Sequence, residues 1–431
     1  MGNIIVGGLT EAGRELWYIF THWGWLPFGI LLIAIINDRF LAMRQRDFLR
    51  KLEPVLLRIA VPEDNARSPK AMEQVFASLW ALYKPPDLIE RFMDGYVQPW
   101  FSCEVVGREG KVEFYMWVPK AFRDMAMANI YASYPDASIE ETEDYTKPYQ
   151  PQGIERDFDL TGTEMILLKP DPYPLRTYLH FGEEFTEEER MIDPMATFTE
   201  TLATMGTGEE MWVQILCRPT IGETWQAEGE EEVKKLMGQA EERKPSLLGK
   251  VASNVGAWTS EALRALAGPS EEVSREGGEE ERRDLGALAL TPGELNIVRA
   301  IQENIAKSGF EVKIRSLYVA RKEVYSGAKT SLLYSLFNPF NSRNLNALIP
   351  DKRARVGFPK YVLRGHRRYQ RKVALLRKYR QRAFAEKGFV LNTEELATIF
   401  HFPVAYVRTP TLEHVRTRLG EAPANVPFAP R

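Results

Sequence analysis

The chain has 431 residues, with 56 Lys and Arg against 59 Asp and Glu, for a formal net charge of −3. Such a length allows two or three cores rather than one, and so small a net charge excludes overall electrostatics as the selector of a partner class. Local charge decides instead, because acidic and basic residues segregate along the chain. Two cysteines, Cys103 and Cys217, lie in apolar, strand-like segments, and five histidines are scattered. That pattern argues against a structural metal site and suits two buried thiols in a reducing compartment.

In chain order, residues 1–15 read as a Gly-rich exterior tail. Leu16 to Ile36 carries no charged residue; as a helix it measures about 31 Å, matching the roughly 30 Å of a bilayer's hydrocarbon core. Trp17, Tyr18, Trp23 and Trp25 crowd its first half as interfacial rings do, and Pro27 interrupts it. We expect a single transmembrane helix here, in preference to a cleaved signal peptide or a buried globular helix. Arg14 is the only basic side chain before it, whereas Arg39, Arg44, Arg46, Arg50 and Lys51 follow closely. The positive-inside rule then places the bulk of the chain in the cytoplasm, under an inner membrane. Residues 37–52 form a juxtamembrane helix, either lying on anionic lipid at about 1 kcal/mol per basic residue or serving only to set topology.

Residues 53–150 read as strand, helix, strand, strand, helix, strand. The pieces are Val55 to Val61, Ala71 to Tyr83 after Ser68-Pro69, Phe101 to Val106, Val112 to Val118, Pro119 to Ala132 and Ala137 to Glu141. That order is the split βαβ, ferredoxin-like arrangement. Residues 151–325 suggest a second α/β sandwich. Its strands are Glu164 to Lys169, Leu175 to Phe181, Met211 to Cys217 and Phe310 to Arg321, and its helices are Pro194 to Met205, Thr224 to Glu242 and Pro292 to Lys307. Residues 243–285 are rich in Pro, Gly, Ser and charge and read as a flexible acidic insertion. The recurring helix-then-strand units hint at a tandem duplication. The expected fold class is therefore α+β: a transmembrane helix, two ferredoxin-like sandwiches and a basic helical C-terminal region.

That basic region, residues 326–388, has no acidic residue between Lys352 and Ala385. Lys360, Arg364, Arg367, Arg368, Arg371, Lys372, Arg377 and Lys378 are its candidate nucleic-acid or lipid contacts, with tyrosines interleaved. Anionic lipid, an acidic neighbouring subunit, nucleic acid and a merely solvated face all remain open from charge alone. Residues 389–431 combine a short helix and a Pro-rich tail. Asn392 and Glu395 have capping-box spacing, and Leu396, Ile399, Phe400 and Pro403 form a small apolar face expected to dock a partner.

No phosphate-binding loop occurs; Ser326 to Ser331 offers Gly-x-Lys-Thr without the first glycine or the spacing, and reads as a turn and helix start. No catalytic, cofactor-binding or metal-ligating set stands out, so catalysis by this chain is not expected.

Three strings carry a resemblance: SPKAMEQVFASLWALY (68–83), the stretch 101–146 beginning FSCEVVGREGKVEFYMWV, and FVLNTEELATIFHFP (389–403). They resemble the membrane-anchored, non-ATPase N-terminal region of type IV secretion and conjugation coupling-protein-like ATPases of candidate-phylum bacteria. In such relatives a P-loop motor follows the segment that matches residues 391–403. Here the sequence ends at Arg431, and the expectation is a motor supplied in trans or lost. The resemblance implies a non-catalytic scaffold for DNA or protein transfer, with a P-loop ATPase, membrane lipid, further copies of itself and DNA as partners. A membrane-tethered nucleic-acid-binding module acting without a motor is the alternative.

Overall fold

The computed structural model describes residues 18, 26–62, 65, 67–87, 89–181, 193–238, 290–357, 363–384 and 387–403. The expected exterior tail, the insertion 243–285, most of the Pro-rich tail and Lys360 lie outside these residues, as does most of the first half of the expected span.

Helix α1 (Leu26–Lys51) opens the described chain. Then follow β1 (Val55–Ala60), α2 (Pro69–Leu79), β2 (Phe101–Arg108), β3 (Lys111–Val118), α3 (Arg123–Ser133) and β4 (Ser138–Thr142). The second half contributes β5 (Phe158–Leu167), α4 (Pro194–Ala203), β6 (Glu209–Pro219), α5 (Glu223–Leu236), α6 (Pro292–Ile305), β7 (Gly309–Arg321), α7 (Thr330–Ser335) and β8 (Leu348–Pro350). Helix α8 (Arg364–Arg380), β9 (Phe389–Asn392) and α9 (Thr393–Ile399) complete it. Local rules account for the helix starts. Pro occupies the first turn of α2, α4 and α6, where its missing N–H costs nothing. Thr291 with Glu294 and Asn392 with Glu395 both close the capping boxes expected of them.

The strands form one sheet in the order β4-β1-β3-β2-β6-β7-β5-β8, with β9 added to β7, and every ladder is antiparallel. The expected pair of separate sheets is therefore corrected to one. β2 and β6 pair over their lengths, from Phe101 opposite Cys217 to Arg108 opposite Glu210. Those strands are buried along nearly every residue, on both faces, so neither can serve as a free edge. Cys103 and Cys217 are free thiols buried at this seam.

The sheet is covered on both faces. On one, Met72, Val75 and Phe76 of α2, Ile130 of α3, Phe198 of α4, Leu333 of α7 and Leu396 of α9 pack onto Leu57, Phe114, Cys103, Val213 and Ile314. On the other, Leu375, Leu376 and Tyr379 of α8 cover Val106, Trp212, Leu317 and Leu160. Gly162 of β5 permits that approach, since a Cβ there would come within 2.9 Å of Leu375. Helices α5 and α6 pack on one another through Val233, Val298 and Ile301.

Two further expectations change. Leu175 to Phe181 is not a strand: Arg176 donates its N–H to the Phe340 carbonyl and Tyr178 to Thr398 Oγ1, so the backbone bonds to a loop and a side chain instead of a ladder. Residues 389–392 and 348–350 are strands that periodicity alone did not reveal. No helix among the described residues is long and apolar enough to cross a membrane. Of the expected span, Tyr18 and Leu26 to Ile36 lie among the described residues, and Asp38 and Arg39 then introduce charge.

Candidate functional site

Two regions concentrate polar or exposed apolar groups. The first begins with a polar row cut straight across the sheet. Glu140, Arg58, Tyr115, Glu104, Gln214, Arg315 and Glu164 stand directly opposite one another on seven successive strands and so share one face. Helix α8 and the residues after it close over the middle of this row. Arg382 grips Glu104 through Nε to Oε1 and Nη2 to Oε2, each 3.0 Å, and also reaches Asp144. Burial by itself pushes the Asp144 carboxyl up, but the Arg382 charge and its hydrogen bonds outweigh that and hold it below its ordinary range.

Gln214 donates to Glu104 (2.8 Å) and accepts from Arg315 (3.2 Å), and Arg315 donates to Glu164 at 3.0 Å and to the Ala383 carbonyl at 2.5 Å. The Tyr145 hydroxyl donates to Glu104 at 2.8 Å and meets Tyr379 at 2.8 Å; burial raises both phenols far above their usual range. The buried charges of the row, Glu104, Arg315 and Glu164, are all answered from within the protein, so the row's chemistry is to hold α8 and the two halves of the sheet together rather than to meet a substrate.

The predicted basic contacts divide accordingly. Lys372 is buried, its ammonium 2.6 Å from both Glu155 and Asp159. Lys378 is half-buried 3.6 Å from Glu164, and Arg371 donates to the Arg355 carbonyl at 2.9 Å. Arg364, Arg367 and Arg377 are exposed and Arg368 is half-buried. The amphipathic pattern of α8 thus spends part of the basic segment inside the fold.

The expected docking face is corrected outright. Leu396, Ile399 and Phe400 are fully buried, and Pro403 is half-buried. Phe400 packs its ring edge against Phe76 and Phe114. Around α9, Lys307 bridges Glu73 of α2 (2.9 Å) and Glu394, and Tyr178 donates to Glu73 at 2.6 Å. His401 lies between the Ala397 carbonyl (2.8 Å) and the Asp193 carboxyl (2.9 Å). Burial pushes the Glu395 carboxyl up to about 8 although it accepts the N–H groups of Asn392 and Leu175. An apolar stripe on a short helix reads the same in sequence whether it faces a partner or its own core.

The second region is α1. Ile30, Leu31, Leu32, Ile33, Ile35 and Ile36 are all exposed, Ile33 to 68%. At 100° per residue they cover the whole circumference, so among the described residues nothing covers this surface on any side. Two turns further on, a loop seats against the helix. Arg44 Nε donates to the Met93 carbonyl at 2.6 Å, and Phe48 lies 5.2 Å from Tyr96, ring to ring. Sequence reading passed this loop over. Its signal is Leu88, Ile89, Phe92 and Met93, an i, i+1, i+4, i+5 apolar pattern bounded by Pro86 and Gly95.

Among the described residues, no group of three His, Cys, Asp or Glu side chains could hold a metal ion. A family model described as Domain of unknown function (DUF8128) matches residues 45–414. No curated protein matches the chain.

Proposed function

The chain belongs to the DUF8128 family, and from that premise we propose that it is a non-enzymatic, membrane-attached component of a type IV secretion or conjugation-like transfer machine, scaffolding or docking a P-loop ATPase. The observation that carries membrane attachment is the apolar surface of α1, exposed around its whole circumference from Ile30 to Ile36. Monomeric soluble proteins rarely leave a contiguous patch of that kind in water. Lipid is the solvent in which it costs nothing. On this reading Leu16 to Ile36 spans an inner membrane once, and the basic residues from Arg39 onward keep the sheet on the cytoplasmic side.

The same reading takes β1–β4 and β5–β8 as two ferredoxin-like units joined edge to edge. The strand orders 4-1-3-2 and 2-3-1-4 mirror each other about the β2–β6 seam, and helices cross over at matching places: α2 and α4, then α3 and α7. Such a fused platform, tied across its seam by buried charge, suits a mechanical role.

Flotation of the intact chain on a density gradient with lipid vesicles tests attachment. The wild type is expected to float and to resist alkaline extraction. Leu32→Asp with Ile33→Asp is expected to release it, because each charge in a span costs roughly 2.5–3.5 kcal/mol. Purification of the chain from its native membranes in mild detergent tests the motor: a P-loop ATPase should accompany it, and a chain purified alone would overturn that half of the proposal.

The alternative, a tethered nucleic-acid-binding module, draws on Arg364, Arg367 and Arg377, which α8 leaves exposed. Phosphate contacts of this kind weaken steeply with salt. A salt series of single-stranded DNA binding by wild type and by a variant with Gln at all three positions separates the readings.

A further inference from the structure

We infer that the loop 89–95 is a second membrane-contact element, a collar that lays the sheet against an anionic phospholipid surface beside the root of α1. This rests on the membrane attachment proposed above and adds where the folded body sits.

The argument starts from spacing. Phe40, Arg44 and Phe48 are four residues apart and stack along one stripe of α1. The loop covers the lower part of that stripe: Met93 at Arg44, Tyr96 at Phe48. Phe40, one turn nearer the apolar end of the helix, is left 42% exposed, and its neighbour Met43 is 52% exposed. The loop then adds its own apolar groups at this level, Met93 at 57% and Ile89 at 67% exposure. Such side chains facing water on one short turn are costly unless something apolar meets them.

Its seating is built, not incidental. Residues Glu90–Asp94 form a single wide turn that Gly95 ends in the left-handed region, at φ 67°. A Cβ at Gly95 would lie 2.4 Å from the Arg44 carbonyl carbon, so only glycine lets the loop approach the helix backbone this closely.

Two features select the occupant. The collar is continuous with the exposed apolar surface of α1, Met43 lying about 10 Å along the axis from Ile36, which a tilted helix brings toward the headgroup layer. From residue 38 to 51 the helix carries Arg39, Arg44, Arg46, Arg50 and Lys51 against Asp38 and Asp47, an excess of positive charge that suits acidic headgroups, whereas the loop adds Asp87, Glu90 and Asp94 against Arg91, so the helix and not the loop supplies the attraction.

The test uses the full chain bound to phosphatidylglycerol-containing vesicles. Because Cys103 and Cys217 are buried, an environment-sensitive fluorophore can be directed to Met93→Cys. Lys111→Cys serves as reference, at the opposite end of the β2 and β3 strands, about 25 Å from the end that α1 enters. The Met93 label is expected to shift its emission to the blue and to lose quenching by aqueous iodide, while the Lys111 label keeps both. Gly95→Ala, which lifts the loop from α1, should restore quenching at Met93 without changing flotation. A floating chain whose Met93 label is quenched as readily as the Lys111 label overturns the collar alone. A chain that does not float overturns the attachment and the collar together. Protection that survives Gly95→Ala overturns the seating on α1.

Discussion

Arg382 meets Glu104 in a bidentate pair, both contacts 3.0 Å, although 278 residues separate them and their side chains are only 2% and 0% exposed. Glu104 stands at the seam of the sheet, opposite Gln214 of the other half. The segment after α8 is thereby fastened to the point where the two halves join.

Removing one partner leaves the other charged and buried. Glu104→Gln is expected to destabilise the full chain by about 3–5 kcal/mol, read by denaturant unfolding in detergent. The double variant Glu104→Met with Arg382→Met should cost less than the two single changes summed, because neither member of the pair is left buried and unanswered, while the partly exposed Asp144 loses Arg382 in the single and the double variant alike. A loss below about 1 kcal/mol for Glu104→Gln would mean that water reaches the pair.

The basic helix should answer unequally to neutralisation. Lys372→Met strips Glu155 and Asp159 of their shared cation and is expected to lower stability by about 1–3 kcal/mol. Arg367→Gln, on the exposed side of α8, should stay within about 0.5 kcal/mol. Thermal melts of the two variants against wild type distinguish a fold-holding cation from a surface one; equal shifts would contradict the placement of α8.

The apolar residues of α9 should behave as core. Leu396→Ala and Ile399→Ala, both at fully buried positions, are expected to cost about 2–5 kcal/mol each by leaving cavities. Residues facing solvent or a detachable partner would cost the isolated chain almost nothing, so unchanged unfolding midpoints would restore the docking role.

Glu395 gives a pH signature. Burial holds its carboxyl at about 8, whereas in the unfolded chain a glutamate titrates near 4.3, as a general reference value. The folded state therefore binds this proton more tightly. Its contribution to stability is complete below about pH 4 and is lost as pH rises through 8. Midpoints of urea unfolding are expected to fall across that window in wild type. Glu395→Gln, which cannot ionise, should flatten the slope even though its amide suits the two N–H donors less well; a slope unchanged in that variant would remove Glu395 as its source.

Much of this protein was legible in its sequence because it depends on neighbours a few residues away. The βαββαβ order of residues 53–150 follows from turn and capping residues at fixed offsets and from the change between periods of 2 and 3.6. The capping boxes at Thr291 and Asn392 are local hydrogen bonds, and the structure makes both.

What only the tertiary structure decided concerns partners distant along the chain. Nothing near Phe101 tells that β2 will find β6 instead of ending a domain, since a strand's edge partner is chosen by three-dimensional fit. Lys372 and Arg367 are five residues apart in one basic run, yet one is buried by its turn of the helix and the other is not. Leu396, Ile399 and Phe400 drew an apolar stripe whose destination was the protein's own core. Sequence fixes which faces are apolar or charged, because that is written in side-chain chemistry and helical spacing. Which surface each face meets is settled only when the whole chain competes to bury it.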